Sequence, residues 1–161
     1  MRRGQARAAG FTMVELVLVI VLVGILAFAA LPRMESGALF RQAAFRDQVV
    51  ATLRHAQKTA VSHRRLVCAD LSGNQINLSV AANFGDLACG AGALPGPDGR
   101  LPAAVSPNAA IALAALPGPL LFFQPSGAVT SDAAGMVPAN FSVSVTGQAP
   151  VQVFGATGHV E

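Results

Sequence analysis

Hydrophobic and polar positions fall into three regimes along the chain. From Leu16 to Leu31 there are sixteen consecutive residues without charge, and counting back to Phe11 gives 21, roughly 30 Å as a helix and comparable with a bilayer core. This run predicts a transmembrane helix over 11–32. Next, Phe45, Val49, Leu53, Ala56 and Ala60 recur at offsets of four, four, three and four, the stripe of an amphipathic helix lying on a sheet. The third regime alternates. Phe141, Val143 and Val145 share one parity in "FSVSVTG", "VQVFGATGHVE" repeats the alternation, and "PLLFFQPSGAVT" carries a Pro-Ser-Gly turn; together they read as strands of one compact antiparallel sheet.

Turn chemistry separates these elements. "RLVCADLSGNQINLSV" reads as a hairpin around Ser72-Gly73-Asn74, residues that tolerate positive φ. Residues 81–119 are crowded with Gly and Pro and read as a loop with one short strand near 111–116. Pro32 closes the apolar run and predicts a helix kink, since a proline inside a helix removes one hydrogen bond. Gly37 costs about 1 kcal/mol relative to Ala, so melting is expected between Pro32 and Ala38. A continuous helix from Phe11 would be ~75–80 Å long.

At 161 residues the chain has room for one modest domain and an appendage. Charge is sparse and segregated. Arg2, Arg3 and Arg7 precede the apolar run, seven basic residues lie from Arg33 to Arg65, and only Arg100 follows. Without residues 1–10 there would be eight basic and eight acidic side chains, so the high pI argues little for nucleic acid. The three leading arginines place the short N-terminal side in the cytoplasm and the body outside.

Cys68 and Cys89 are 21 apart and outside any CxxC, which removes the usual zinc and thioredoxin-like spacings. Either they form one disulfide in an oxidising compartment or they are two buried thiols. His55, His63 and His159 give no HExxH spacing, and neither a GxSxG elbow nor a Walker A sequence occurs. Asp70, Asp86, Asp98 and Asp132 do not form a DxDxDG calcium loop. The chain is therefore read as a non-enzyme, with no cofactor and no metal.

One residue breaks the first regime. Glu15 sits at the head of an apolar run, where an acid costs about 2.5–3.5 kcal/mol at mid-membrane and less near the edge. An ordinary secretory signal, with Ala27, Ala29 and Ala30 imitating a cleavage site, has no use for it. Snorkelling to water is the simplest alternative.

"GFTMVELVLVIVLVGILAFAALP" (10–32) resembles the leader and N-terminal helix of type IV pilins and type II secretion pseudopilins. The resemblance implies cleavage after Gly10 by a prepilin peptidase and N-methylation of Phe11. Glu15 then becomes the fifth residue of the mature chain, where the family carries its assembly glutamate. Thr12, Gly24 and Pro32 stand where many pilins have Thr, Gly and Pro. Glu15 would pair with the terminal amine of Phe11 on a neighbouring subunit. Stranding one partner of such a pair costs about 3–5 kcal/mol, so it would set register in assembly.

The downstream pattern resembles the minor pilins and H-type pseudopilins, among them minor pilins of the mannose-sensitive haemagglutinin pilus. This implies an α+β pilin fold, with a long N-terminal helix, half transmembrane and half amphipathic, packed on a small antiparallel sheet. The expected divisions are a leader (1–10), a transmembrane helix (11–32), an amphipathic helix (33–64) and a β-rich head (65–161).

The implied function is a minor pilin for initiation or tip assembly of a type IV pilus, with an H-type pseudopilin as the alternative. Implied partners are other pilins or pseudopilins, the prepilin peptidase, the inner-membrane assembly platform and the inner membrane itself. The implied location is the inner membrane in a single pass, then a surface pilus or periplasmic pseudopilus. The basic face of the second helix carries Arg41, Arg46, Arg54, Lys58, Arg64 and Arg65. It reads as a solvated surface or as a contact for acidic partners. A DNA-binding minor pilin would draw its phosphate contacts from Arg54, Lys58, Arg64 and Arg65, because after residue 65 Arg100 stands against five acids.

Overall fold

The computed structural model describes residues 11–30, 36–90 and 92–161, and the chain divides into two compact units, Met1–Gly37 and Ala38–Glu161. The first unit holds helix α1 (Met13–Ala30). Helix α2 (Ser36–His63) begins at its end and continues through the second unit. Nine strands follow: β1 (Val67–Asp70), β2 (Gln75–Val80), β3 (Gly92–Leu94), β4 (Ala104–Val105), β5 (Leu113–Leu116), β6 (Leu120–Phe123), β7 (Val129–Thr130), β8 (Phe141–Val145) and β9 (Val151–Val153).

Two expectations about the helices are corrected. Among the described residues no helix is long and apolar enough to cross a membrane, so the single-pass inner-membrane location does not stand. Helix α1 has 18 residues with Glu15 in its first turn, about 27 Å against a hydrocarbon core of about 30 Å. Phe11 and Thr12, counted as part of the span in the sequence, lie before the helix. The long N-terminal helix of a pilin fold is likewise replaced by two helices, α1 and α2, ahead of a strand-rich body. The kink expected at Pro32 lies outside the described residues, and Gly37, expected to melt, is helical.

A single sheet was also expected, and two antiparallel sheets are found. One runs in the order β3-β2-β1-β6-β7, with β4 also pairing β2, and the other runs β5-β8-β9. The chain passes between the sheets three times, after β4, β5 and β7, and the passage from β5 to β6 runs through Pro117 and Pro119. Neither proline has an N–H to continue a ladder, and the Pro119 carbonyl instead accepts from Leu71 N at 2.8 Å. β3 and β4 lie in the stretch read as loop, because two- and three-residue strands leave no periodicity to detect.

The core sits between α2 and the inward faces of both sheets. Phe45, Val49, Leu53, Ala56 and Ala60 are all buried, in one cluster with Val67 and Ala69 of β1, Leu121 and Phe123 of β6, Phe141, Val143 and Val145 of β8, and Val151 and Val153 of β9. The periodicities of 3.6 and 2 therefore identified its facing surfaces. In the β1–β2 hairpin, Gly73 and Asn74 have φ of 61° and 59° and Gln75 N donates to Ser72 O at 3.2 Å, the backbone of a type I′ turn. Asn74 also holds the neighbouring loop: its Oδ1 accepts from Leu113 N at 3.1 Å and its Nδ2 donates to Ala109 O at 3.4 Å.

Gly155 ties the sheets together after β9. Its carbonyl accepts from Val129 N at 2.7 Å and its N–H donates to Asn140 Oδ1 at 2.8 Å. A Cβ at this position would collide with the Ala139 backbone, which cannot rotate aside. Gly155→Ala is therefore expected to lower unfolding stability by about 1–3 kcal/mol, read from the midpoint of a urea titration; an unchanged midpoint would show that the junction is loose.

Candidate functional site

Helix α1 is the first feature that a function must explain. Every described side chain from 11 to 28 is exposed, including Leu16, Leu18, Ile20, Leu22, Ile25 and Leu26, which point to different sides of the helix. A helix apolar all round needs cover on all sides, and contiguous apolar patches this long are uncommon on free monomers.

Its N-terminus is built by a Thr-x-x-Glu capping sequence. Thr12 Oγ1 accepts from Glu15 N at 3.3 Å, and Leu16 N donates to Thr12 O at 3.1 Å. Thr12 is thus the N-cap and Glu15 the third helical residue, the spacing of a capping box. A carboxylate in the first turn is also favoured by the positive end of the helix dipole. This local role for Glu15 was missed in the sequence, although "TMVE" carried the signal. Glu15 is exposed and open to a second partner. Phe11 is exposed ahead of the cap, while Gly10 and Pro32 lie outside the described residues.

The second feature is the polar flank of α2, where the four basic residues proposed for phosphate contact are placed differently from one another. Arg54 donates from Nε and Nη2 to the Val160 carbonyl at 3.1 and 2.8 Å. Arg46 Nε reaches Ala149 O at 2.9 Å and Gln57 Nε2 reaches Thr157 O at 2.9 Å. Three side chains spaced along α2 thus clamp the chain on both sides of β9, at Ala149 before it and at Thr157 and Val160 after it. Lys58 and Arg64 are exposed and Arg65 is half-buried, none with an ion-pair partner among the described residues.

Arg64 has φ 51°, an uncommon conformation for a side chain with a Cβ. The reason is the end of α2: Arg65 N donates to Ala60 O at 3.2 Å and Arg64 N to Val61 O at 3.4 Å, the bond pair of a Schellman motif whose left-handed position is normally Gly. The cations at this end also lie where the helix dipole is negative, which favours them and weakens their pull on an added anion.

Comparison of the chain with protein-family models, curated proteins and solved structures finds no match. The site therefore rests on its own geometry.

Cys68 and Cys89 form a disulfide, with Cα atoms 6.0 Å apart. Around it Leu66, Cys68 and Ala81 make a second small buried cluster, against which Cys89, Phe122 and Ala133 pack. Beside it lies a groove of about 320 Å³, bounded by Phe84 and Leu87 on one side, Gln124, Pro125 and Ser126 on another, and Leu66. Sequence reasoning found the cysteines but not the groove, whose walls are far apart in the chain.

Among the described residues no group of three or more His, Cys, Asp or Glu side chains is placed to hold a metal ion. Asp98 lies 3.8 Å from Arg100, and Asp86 accepts from Asn83 N at 2.8 Å. Asp132 Oδ1 is buried without a partner. His159 stands beside Phe154 with ring centroids 6.1 Å apart.

Two substitutions separate struts from free cations. Arg54→Ala should lower unfolding stability by about 1–2 kcal/mol through the lost charge-assisted pair, whereas Lys58→Ala should change it by under about 0.5 kcal/mol; equal losses in denaturant melts would contradict this division. Arg64→Gly should raise stability by about 1 kcal/mol by relieving the left-handed backbone, and a lower thermal midpoint would show that its side chain has a structural partner.

Proposed function

We propose that the protein is a structural subunit of a fibre of the type IV pilus kind: a minor pilin for initiation or tip assembly, cut after Gly10 by a prepilin peptidase and methylated at Phe11. The supporting observation is α1 itself, apolar on every side, exposed along its described length and headed by a capped acid. A fibre covers such a surface, because neighbouring helices of the same kind pack around one another.

In this reading Glu15 has two partners. Its own helix N-terminus steadies the carboxylate within the subunit, and the terminal amine of Phe11 on a neighbouring pilin meets it in the fibre. The amine exists at Phe11 only after cleavage, so processing creates the group that the acid needs. Because a buried ion pair costs desolvation of both charges, it contributes register more than stability. The disulfide supports the reading from another direction, since structural disulfides form in oxidising compartments. The role requires no catalysis and no cofactor, and its partners are other pilins.

The reading concerns how the N-terminal segment assembles and does not depend on a pilin fold in the body. N-terminal sequencing and mass spectrometry of the protein from fibre-forming cells should find a methylated Phe11 terminus, and Glu15→Ala should reduce its incorporation into fibres at least about tenfold, given a stranded charge worth several kcal/mol. An intact Met1 terminus in those cells, or full incorporation of Glu15→Ala, would overturn the proposal.

A further inference from the structure

Strand β1 divides its side chains between two environments. Val67 and Ala69 enter the main core, so Cys68 between them faces the other side of the sheet, where it joins the small cluster of Leu66, Ala81, Cys89, Phe122 and Ala133. Residues 81–90 contribute nothing to the main core. This stretch has no strand of its own, and its attachments are few. Ala81 N donates to Leu66 O at 2.9 Å, and the Cys89 sulfur is joined to Cys68. The bonds between Asn83 and Asp86 lie within the loop: Asp86 N donates to Asn83 O, and Asn83 N and Nδ2 donate to Asp86 Oδ2.

The loop nevertheless presents two large apolar side chains. Phe84 is 75% and Leu87 63% exposed, and together they form one wall of the 320 Å³ groove. Holding such a wall against solvent with so few bonds requires the covalent tie.

We propose that the Cys68–Cys89 disulfide is a redox-sensitive latch: oxidised, it holds residues 81–90 as one wall of the groove; reduced, it lets that wall swing away while the body stays folded. The tie can be reached, because Cys89 is half-buried and lines a shallow surface depression with Ala82, Asp86, Leu87, Ala88 and Gly90, whereas Cys68 is buried beneath it.

The chemistry balances with an external dithiol as reductant. One reagent thiolate bonds to Cys89 Sγ and displaces Cys68 Sγ as a thiolate. The reagent's second thiolate then bonds to its own first sulfur and expels Cys89 Sγ. The reagent leaves as a disulfide, and both cysteines are protonated, two electrons and two protons in all.

Opening does not strip the main core. It uncovers Leu66, Phe122 and Ala133, an apolar floor beneath the loop, so the groove changes character as well as shape. This device is independent of the fibre reading and holds for any function of the body.

Amide hydrogen exchange on the full chain in mild detergent, before and after incubation with dithiothreitol, tests the latch. Peptides from 82–90 should exchange at least about tenfold faster after reduction, while those from β6, β8 and β9 change by less than about twofold. Unchanged exchange in 82–90 would overturn the proposal, as would acceleration of all the strands together, which would make the bond a global staple. The full-chain double variant Cys68→Ser with Cys89→Ser should show the reduced pattern without reagent and no response to it; failure of that variant to fold would also overturn the latch.

Discussion

A helix that is apolar on every side has to be covered on every side, and α1 is left exposed from Met13 to Phe28. Burying one Val, Leu, Ile or Phe side chain is worth about 1.5–3 kcal/mol, and association costs an estimated 4–15 kcal/mol or more. Cover for even half of the thirteen large apolar side chains of α1 from Met13 to Phe28 is therefore comparable with that cost. Because the helix has no polar face, one flat partner cannot satisfy it; several helices around it can. The fibre assembly proposed above would answer this constraint without drawing on the body. The Thr12 cap and Glu15 place the only charge of α1 at one end, where in the proposed fibre it would limit how neighbours slide past one another.

The body solves a different problem. It must hold two sheets against one helix with little charge and many glycines. One face of α2 supplies the apolar stripe, and the adjoining polar flank supplies Arg46, Arg54 and Gln57, each donating to a carbonyl in the last third of the chain. Long polar side chains act here as struts, with their stems on apolar surface and their heads on backbone acceptors. Asn74 does the same from a turn, and Gly155 lets the two sheets meet where no side chain fits. The disulfide stands outside that core, which is why it can govern the groove without governing the fold.

Much of this was readable in advance for a definite reason. The α2 stripe and the β8 and β9 alternations are local periodicities set by burial on one face, and the Gly73-Asn74 turn announced itself by residue type. The division into two sheets was not readable, since it depends on where Pro117 and Pro119 send the chain relative to strands far away in sequence. Nor was the end of α2, where Arg64 occupies a position that composition would give to glycine. Among the site residues, Cys68 and Cys89 were visible as a pair. Arg54 was grouped with free cations because its acceptor, Val160, lies 106 residues away. The membrane span was over-read: hydropathy counted Phe11 and Thr12, which the structure leaves before the helix.

In the proposed fibre the apolar surface of α1 is covered by other copies or relatives of itself. Sedimentation velocity of the chain beginning at Phe11, compared with the same chain carrying Leu18→Gln, Leu22→Gln and Ile25→Gln, measures this after detergent is removed. Large, ordered assemblies are expected for the original chain and monomers for the variant, with the same far-ultraviolet dichroism. Assemblies of equal size from both chains would contradict the proposed fibre.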